Sequence, residues 1–389
     1  MWEEDKLKKL TVDFYKHLFT EDEVPNDEIS FFSAFPDLEN SYSTGLLEKV
    51  SDEEICKAVF DMKPFKALGT YGFQPYFFQT QWSVVGGDLC RFIKEVFANK
   101  QEVAEVNHSY LVLIPKVPKP ECIHQFRPIG LCNVIYKTLT KILVNRLKPL
   151  MQKLVSMNQS SFVPGRQIVD NIIIAQEIIH SMRNLKRKKG VMAIKVDLEK
   201  AYDRLRWDFI RDTLTLTGIP RSTVDLIMKC IETTSLSVLW NGSPSKKFLP
   251  TRGIRQGDPL SLYIFVLCME RLSQLIHREV SLGNWKPFQI GREGPKISHI
   301  CFADDMLLFA EASEGQLDKV LECLTLFCCA SGQWVSVEKT KMFFSKDVSH
   351  SAVRSLSYKS GFAVTQDLGK YLGSLFFINA LPSKHMVTL

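Results

Sequence analysis

Ten cysteines are present in the 389-residue sequence, but no two stand as C-x-x-C and none follows zinc-finger spacing. A structural zinc module is therefore excluded, and reduced, mostly buried thiols are expected, as in Leu267-Cys268-Met269 and Phe327-Cys328-Cys329. The N-terminal Met1-Trp2-Glu3-Glu4-Asp5-Lys6 lacks the basic and apolar regions of a signal peptide. No apolar stretch approaches the ~20 residues that span a bilayer. An intracellular chain, nuclear or cytoplasmic and without a membrane partner, is the expectation. Repeats, low-complexity tracts and EF-hand spacing are missing too, which argues against a solenoid, a disordered tail or a calcium loop.

What is there suits a folded protein. Hydrophobic residues make up 45% and charged residues 24%, enough for a sizeable core. The formal charge of +6 and pI near 8.7 are compatible with a nucleic-acid partner without demanding one.

Residues 1–95 read as mostly helical. Ser51-Asp52-Glu53-Glu54 before Ile55, Ala58, Val59 and Met62 is a capped amphipathic start, broken by Pro64, Gly69 and Gly72. Leu89, Phe92, Ile93, Val96 and Phe97 repeat at helical spacing. Tyr110–Lys116 reads as a strand ending in a proline and a base. Phe126-Arg127-Pro128-Ile129 follows, so Lys116 and Arg127 each fall at a break, as cleft bases or as ordinary surface charges. Asn133–Leu154 and the Ile168–Met182 pattern are helices. The basic run Arg183–Gly190 fits a solvated turn, a phosphate contact or a nuclear signal.

Val191–Asp197 is a strand ending in an acid, followed by a helical stretch from Glu199 to Thr217 that Gly218 and Pro220 stop. Asp197 so placed either caps that helix or faces a ligand at a sheet rim. Arg252–Ser261 is a glycine-punctuated loop opening the helix Leu262–Leu275, with Asp258 as cap and Pro259 in the first turn. It lacks the Lys-Ser/Thr ending of a P-loop. Ile297–Ala310 reads as a hairpin with Asp304 and Asp305 at its tip. Alone, that tip fits a solvent-facing turn as well as a site. If its strands neighbour the strand that ends in Asp197, three carboxylates share a rim, and divalent cations are their natural complement. Leu317–Cys328 is a helix ended by Gly332, Trp334–Phe344 alternates like a strand containing Lys339, and Lys370–Gly373 is a turn.

The ordered motifs Leu113-Ile114-Pro115-Lys116, Phe126–Ile129, Asn158–Arg166, Asp197–Asp203, Arg255–Ser261, Phe302–Asp305, Ser331-Gly332-Gln333, Lys339-Thr340 and Lys370–Gly373 resemble the reverse transcriptase of a plant-type non-LTR retrotransposon. The resemblance runs from about Asn107 to Gly373. It implies an α+β, right-hand polymerase with fingers and an antiparallel palm sheet packed on helices, over 96–376. The 1–95 extension precedes it, a 377–389 tail follows, and the thumb is largely missing, as in a truncated copy. It further implies that Asp197, Asp304, Asp305 and the Leu198 carbonyl hold two Mg²⁺ ions, with Mn²⁺ as a substitute. It implies too that Tyr202 excludes ribonucleotides, unless it is a core aromatic of its helix. Lys116, Arg127, Gln256 and Gly257 hold the dNTP, and Lys339 protonates pyrophosphate unless it is a plain surface lysine. The implied partners are an RNA template, a DNA primer and dNTPs; nothing bears on oligomeric state.

The sequence departs from the family at Leu68-Gly69-Thr70-Tyr71 (commonly P-G-P-D), Gly130 (Ser), Leu262 (Pro), Met306 (Ser or Thr) and Ser336 (Asn). No endonuclease constellation, zinc knuckle or ribonuclease H acids accompany these motifs. The alternative expectation is therefore a catalytically inactive fragment that at most binds nucleic acid.

Overall fold

The Ser51 side chain accepts the Glu54 amide at 3.1 Å and starts the helix Asp52–Phe60, whose Ile55, Ala58 and Val59 turn inward. This and the elements below belong to a computed structural model that describes residues 2–21, 34–184, 190–291 and 293–375. Leu185–Lys189 of the basic run and the segment 376–389 lie outside the described residues. The chain forms two compact units, the first from 1–28, 35–154 and 202–267, the second from 29–34, 155–201 and 268–389.

The first unit holds a four-stranded sheet. Strand His108–Pro115 runs between the antiparallel Phe126–Cys132 and the parallel Ser235–Trp240, with Ser243–Pro244 at the edge. Tyr15, Leu18 and Phe19 of the N-terminal segment pack with Leu111, Leu236, Val238 and Phe248 of this sheet and its flank. The 21-residue helix Val134–Leu154 buries twelve side chains and anchors Arg146 on the Glu54 carboxylate through two bonds of 2.8 Å.

The second unit is built on a five-stranded sheet. Its order is Ala363–Val364, Lys341–Phe344, Val191–Val196, Asp305–Glu311, His299–Phe302, with only the first pair parallel. Helix Ile168–Asn184 lays Ala175, Ile178, Ile179 and Met182 on Val191, Ala193, Leu307, Phe309 and Phe343. The alternation of the strands supplies that apolar face. Mixed α+β content with largely antiparallel pairing is thus observed. All ten cysteines are free thiols, six of them buried.

Several sequence-based expectations change. The stretch after Asp197 is two helices, Ala201–Arg204 and Trp207–Leu216, because Arg206 turns extended to bridge Arg252. Arg127 lies within a strand, paired with Ile114, rather than at a break. Only Lys341–Phe344 of the alternating stretch is a strand, which leaves Lys339 in a turn. The helix Pro259–Ser281 is 23 residues long and, by length and composition alone, apolar enough to cross a membrane. Glu270, Arg271 and Gln274 interrupt its apolar run in the sequence, yet all three are buried. It is a core helix, with 89% of its most apolar window buried.

Candidate functional site

The strand ladder that joins Val191–Val196 to Asp305–Glu311 ends at the pair Val196–Met306. Asp197 and Asp305 therefore stand at the same end of neighbouring antiparallel strands. Phe302 pairs with Asp305, so only Ala303 and Asp304 make the turn. Ala303 carries the left-handed φ of +54°, and it is buried, whereas Asp304 and Asp305 are exposed. The turn thus lies one residue earlier than the Asp304–Asp305 tip expected, and neither acid takes the left-handed position.

Electrostatics tie Asp305 to its neighbours. Although solvent reaches its carboxyl, local loss of water raises the pKa above the usual carboxylate range; Lys195 opposes this and the Asp197 charge reinforces it. Lys195 is two residues before Asp197, and the strand period puts both on one face. That two-residue spacing is itself a signal in the sequence. Its ammonium also approaches the Leu368 carbonyl at 3.4 Å. Lys339 lies 3.9 Å from Asp197.

The loop after Asp197 is held by the 333–340 segment. Ser336 N–H donates to the Asp197 carbonyl at 2.8 Å, Glu199 N–H to Trp334 at 2.8 Å, and Thr340 Oγ1 accepts the Asp197 amide at 3.2 Å. Gln333 Nε2 donates to the Ala201 carbonyl at 2.7 Å, and the Leu198 side chain is buried.

Among the described residues no three His, Cys, Asp or Glu side chains form a ready metal cage. Mg²⁺ needs none, because it commonly takes one or two carboxylates and fills its octahedron with water and phosphate. Hard oxygen donors and a repulsion at Asp305 that a cation relieves fit that ion.

The other candidates lie in the first unit. Gly130 N–H donates to the Gln256 carbonyl at 2.7 Å, seating the glycine loop on strand Phe126–Cys132. Gly257 has φ +111°, and an added Cβ would meet the Gly130 carbonyl at 2.8 Å. The neighbouring Ile129 shares a strand face with the exposed Arg127. Lys116 follows the paired strand and is exposed, its amide on the Gln125 carbonyl at 2.7 Å. Gln256 Nε2 donates to Asp203 at 3.1 Å, and the Tyr202 ring stacks on Phe265 at 4.4 Å and 17°. Arg255, whose role the spacing does not announce, is buried over Tyr136 at 4.2 Å. Its donors reach Ser109 Oγ at 2.9 Å, the Cys230 carbonyl at 3.3 Å and Asp258 at 3.4 Å.

In the second unit, Asn158–Ser161 straps the hairpin edge. Cys301 N–H donates to the Asn158 carbonyl at 2.7 Å and Ser160 N–H to Cys301 at 3.1 Å. Below it, Arg166 donates to the carbonyls of Val155, Ser156 and Gln159. Buried Glu270, which accepts from Ser156 at 3.1 Å, has its pKa pushed up to about 8. Desolvation is the main cause, and the Ser156 bonds and Arg166 oppose it. The folded state therefore keeps a proton that the unfolded chain releases near pH 4.3, and stability declines as pH rises from there to about 8. Glu270→Gln should melt above the wild type at pH 8 and alongside it near pH 4, as thermal scans across that range will register.

Residues 114–376 match the family described as reverse transcriptase (RNA-dependent DNA polymerase). The chain is 25% identical over 366 residues to the transposon TX1 uncharacterized 149 kDa protein of Xenopus laevis, covering 93% of this chain and 27% of that protein. It is 32% identical over 220 residues to the retrovirus-related Pol polyprotein from the type-2 retrotransposable element R2DM of Drosophila melanogaster, covering 55% and 20%. An uncharacterized mitochondrial protein of Arabidopsis thaliana is 46% identical over 65 residues, 17% of this chain and 53% of its own. The chain thus spans 27% and 20% of the length of these first two relatives. The family match covers more than half of the sequence and includes both strands that carry the acids, the hairpin tip and the glycine loop: this chain belongs to the reverse transcriptase (RNA-dependent DNA polymerase) family.

Proposed function

We propose that this chain is the RNA-directed DNA polymerase domain of a plant-type non-LTR retrotransposon, adding dNTPs to a primer 3′-hydroxyl on an RNA template. The carrying observation is the placement of Asp197 and Asp305 at one end of neighbouring strands, with Asp304 at the joining turn. Two Mg²⁺ ions, held by Asp197, Asp304, Asp305 and the Leu198 carbonyl, would lower the pKa of the primer hydroxyl and neutralise the departing pyrophosphate.

The chain's own groups do the rest. Arg127 and Lys116, exposed beside the glycine loop and at the strand end, donate charge-assisted bonds to the triphosphate. Gln256 and Gly257 form the loop against which the incoming base and sugar rest, and the missing Cβ of Gly257 lets that loop close on the Gly130 carbonyl. Lys339 delivers a proton to pyrophosphate from its turn beside Asp197. Tyr202, held flat by Phe265, closes the space beside the sugar 2′ position. Tyr202→Val should raise ribonucleotide incorporation relative to dNTP by on the order of tenfold to a hundredfold. Competition between rNTP and dNTP in single-nucleotide extension measures that ratio.

Primer extension by the full chain on an RNA template, with and without Mg²⁺, tests the proposal. Extension that ignores the ion, or persists after Asp304→Asn and Asp305→Asn together, would remove its basis. A second reading, an inactive fragment that at most binds nucleic acid, draws on the departures from the family pattern at Gly130, Leu262, Met306 and Ser336. Template binding without turnover would favour it.

A further inference from the structure

The motif Asn158–Arg166 has no part in the proposed chemistry, yet one of its side chains reaches the hairpin tip. Gln159 is 1% exposed. Its Oε1 accepts the Ala303 amide at 3.0 Å and the Ser161 amide at 2.9 Å. Ala303 is the left-handed residue of the two-residue turn, a position that glycine usually takes in such hairpins. For a residue with a Cβ this conformation is strained and persists only where the surroundings hold it.

The surroundings here are specific. An isolated bridge joins Gln159 to Cys301, and Asn171 Nδ2 donates to the Cys301 carbonyl at 2.7 Å. Ser160 Oγ in turn donates to Asn171 Oδ1 at 2.6 Å. These bonds fix the edge strand up to Cys301. Beyond it, the Gln159 carboxamide orients the Ala303 peptide, and that peptide sets the direction in which the chain enters Asp304 and Asp305.

We infer that Gln159 is a positioning residue for the Asp304–Asp305 tip: its buried carboxamide oxygen holds the strained Ala303 peptide and thereby the direction of both acids. The consequence for catalysis rests on the polymerase reading; the mechanical role does not. A removed acceptor would strand two amides away from water, so the tip should relax toward an unstrained turn.

Amide hydrogen exchange on the full chain tests the role directly. In the wild type the Ala303 amide should exchange slowly despite its place in a tight turn beside an exposed residue. Gln159→Met, similar in volume but without the acceptor, should speed exchange at Ala303 by tenfold or more, with helix Ile168–Asn184 unchanged. Gln159→Glu keeps an accepting oxygen and should retain most of the protection. Fast exchange at Ala303 in the wild type overturns the inference without any variant. No acceleration in Gln159→Met, or acceleration spread evenly over the chain, overturns it as well. In primer extension, Gln159→Met should lower kcat about tenfold with the dNTP KM unchanged, and Gln159→Glu should recover most of it. A wild type that extends no primer sinks the polymerase reading, while the exchange rates still decide the role of Gln159.

Discussion

Asp305→Asn should lower Mg²⁺-dependent primer extension about a thousandfold without lowering the melting temperature at neutral pH. The activity term follows from the metal-holding role proposed for Asp305. Lewis-acid stabilisation of phosphoryl transfer amounts to several kcal/mol, and about 4 kcal/mol corresponds to roughly a thousandfold in rate. The stability term has the opposite sign to the usual loss of a carboxylate. Desolvation and the Asp197 charge raise the Asp305 pKa, with Lys195 in opposition, so the folded state disfavours the ionised form. Stability from this group is greatest below the usual carboxylate pKa and declines as pH rises through the raised one. An uncharged amide removes that decline. Single-turnover extension paired with thermal melts at pH 7 reads both, and a variant that loses stability along with activity would show a structural acid instead.

Arg255→Met should destabilise the protein by about 3–5 kcal/mol, the cost of leaving a buried charge without its partner. Arg255 and Asp258 are each about 5% exposed in their side chains and 3.4 Å apart. Asp258 has two further duties: its Oδ1 accepts the Leu260 amide at 3.0 Å at the helix start, and its Oδ2 accepts from Tyr136 at 2.8 Å. Asp258→Asn introduced with Arg255→Met removes the orphaned charge and should return part of the loss, an interaction that a double-mutant cycle in urea resolves. Purely additive losses would mean that the two groups do not act as a pair. The position matters for the site because Arg255 immediately precedes Gln256 and Gly257.

Local chemistry made much of the fold legible. Ser51 caps its helix, Asp258 receives the Leu260 amide, and Gly332 ends the helix Glu314–Ser331 with φ +76°. Each follows from a residue's own preferences and its neighbours within a few positions. The Asp304–Asp305 hairpin was equally plain, because the two apolar runs around it are short and closely joined. Where partners are distant, the pattern misled. Nothing within Glu199–Thr217 announces that Arg206 will pair with Arg252 and divide the helix. The helix read over Leu262–Leu275 likewise runs further, over Pro259–Ser281, and nothing local shows that its Glu270, Arg271 and Gln274 are buried.

The candidate site divides along the same line. Sequence alone determined which side chains are present: three acids, three bases, an aromatic and a glycine loop, in an order that marks a reverse transcriptase. Tertiary structure decided which turn residue bears the strain, which lysine sits among the acids, and which buried amide braces the tip. Gln159 and Ala303 are 144 residues apart, and their bond joins a side chain to a main-chain N–H. Main-chain groups are the same in every sequence, so such a contact leaves no periodicity or composition to read. The hydrogen-bonding demand of a buried peptide becomes visible only once the fold has chosen its partner.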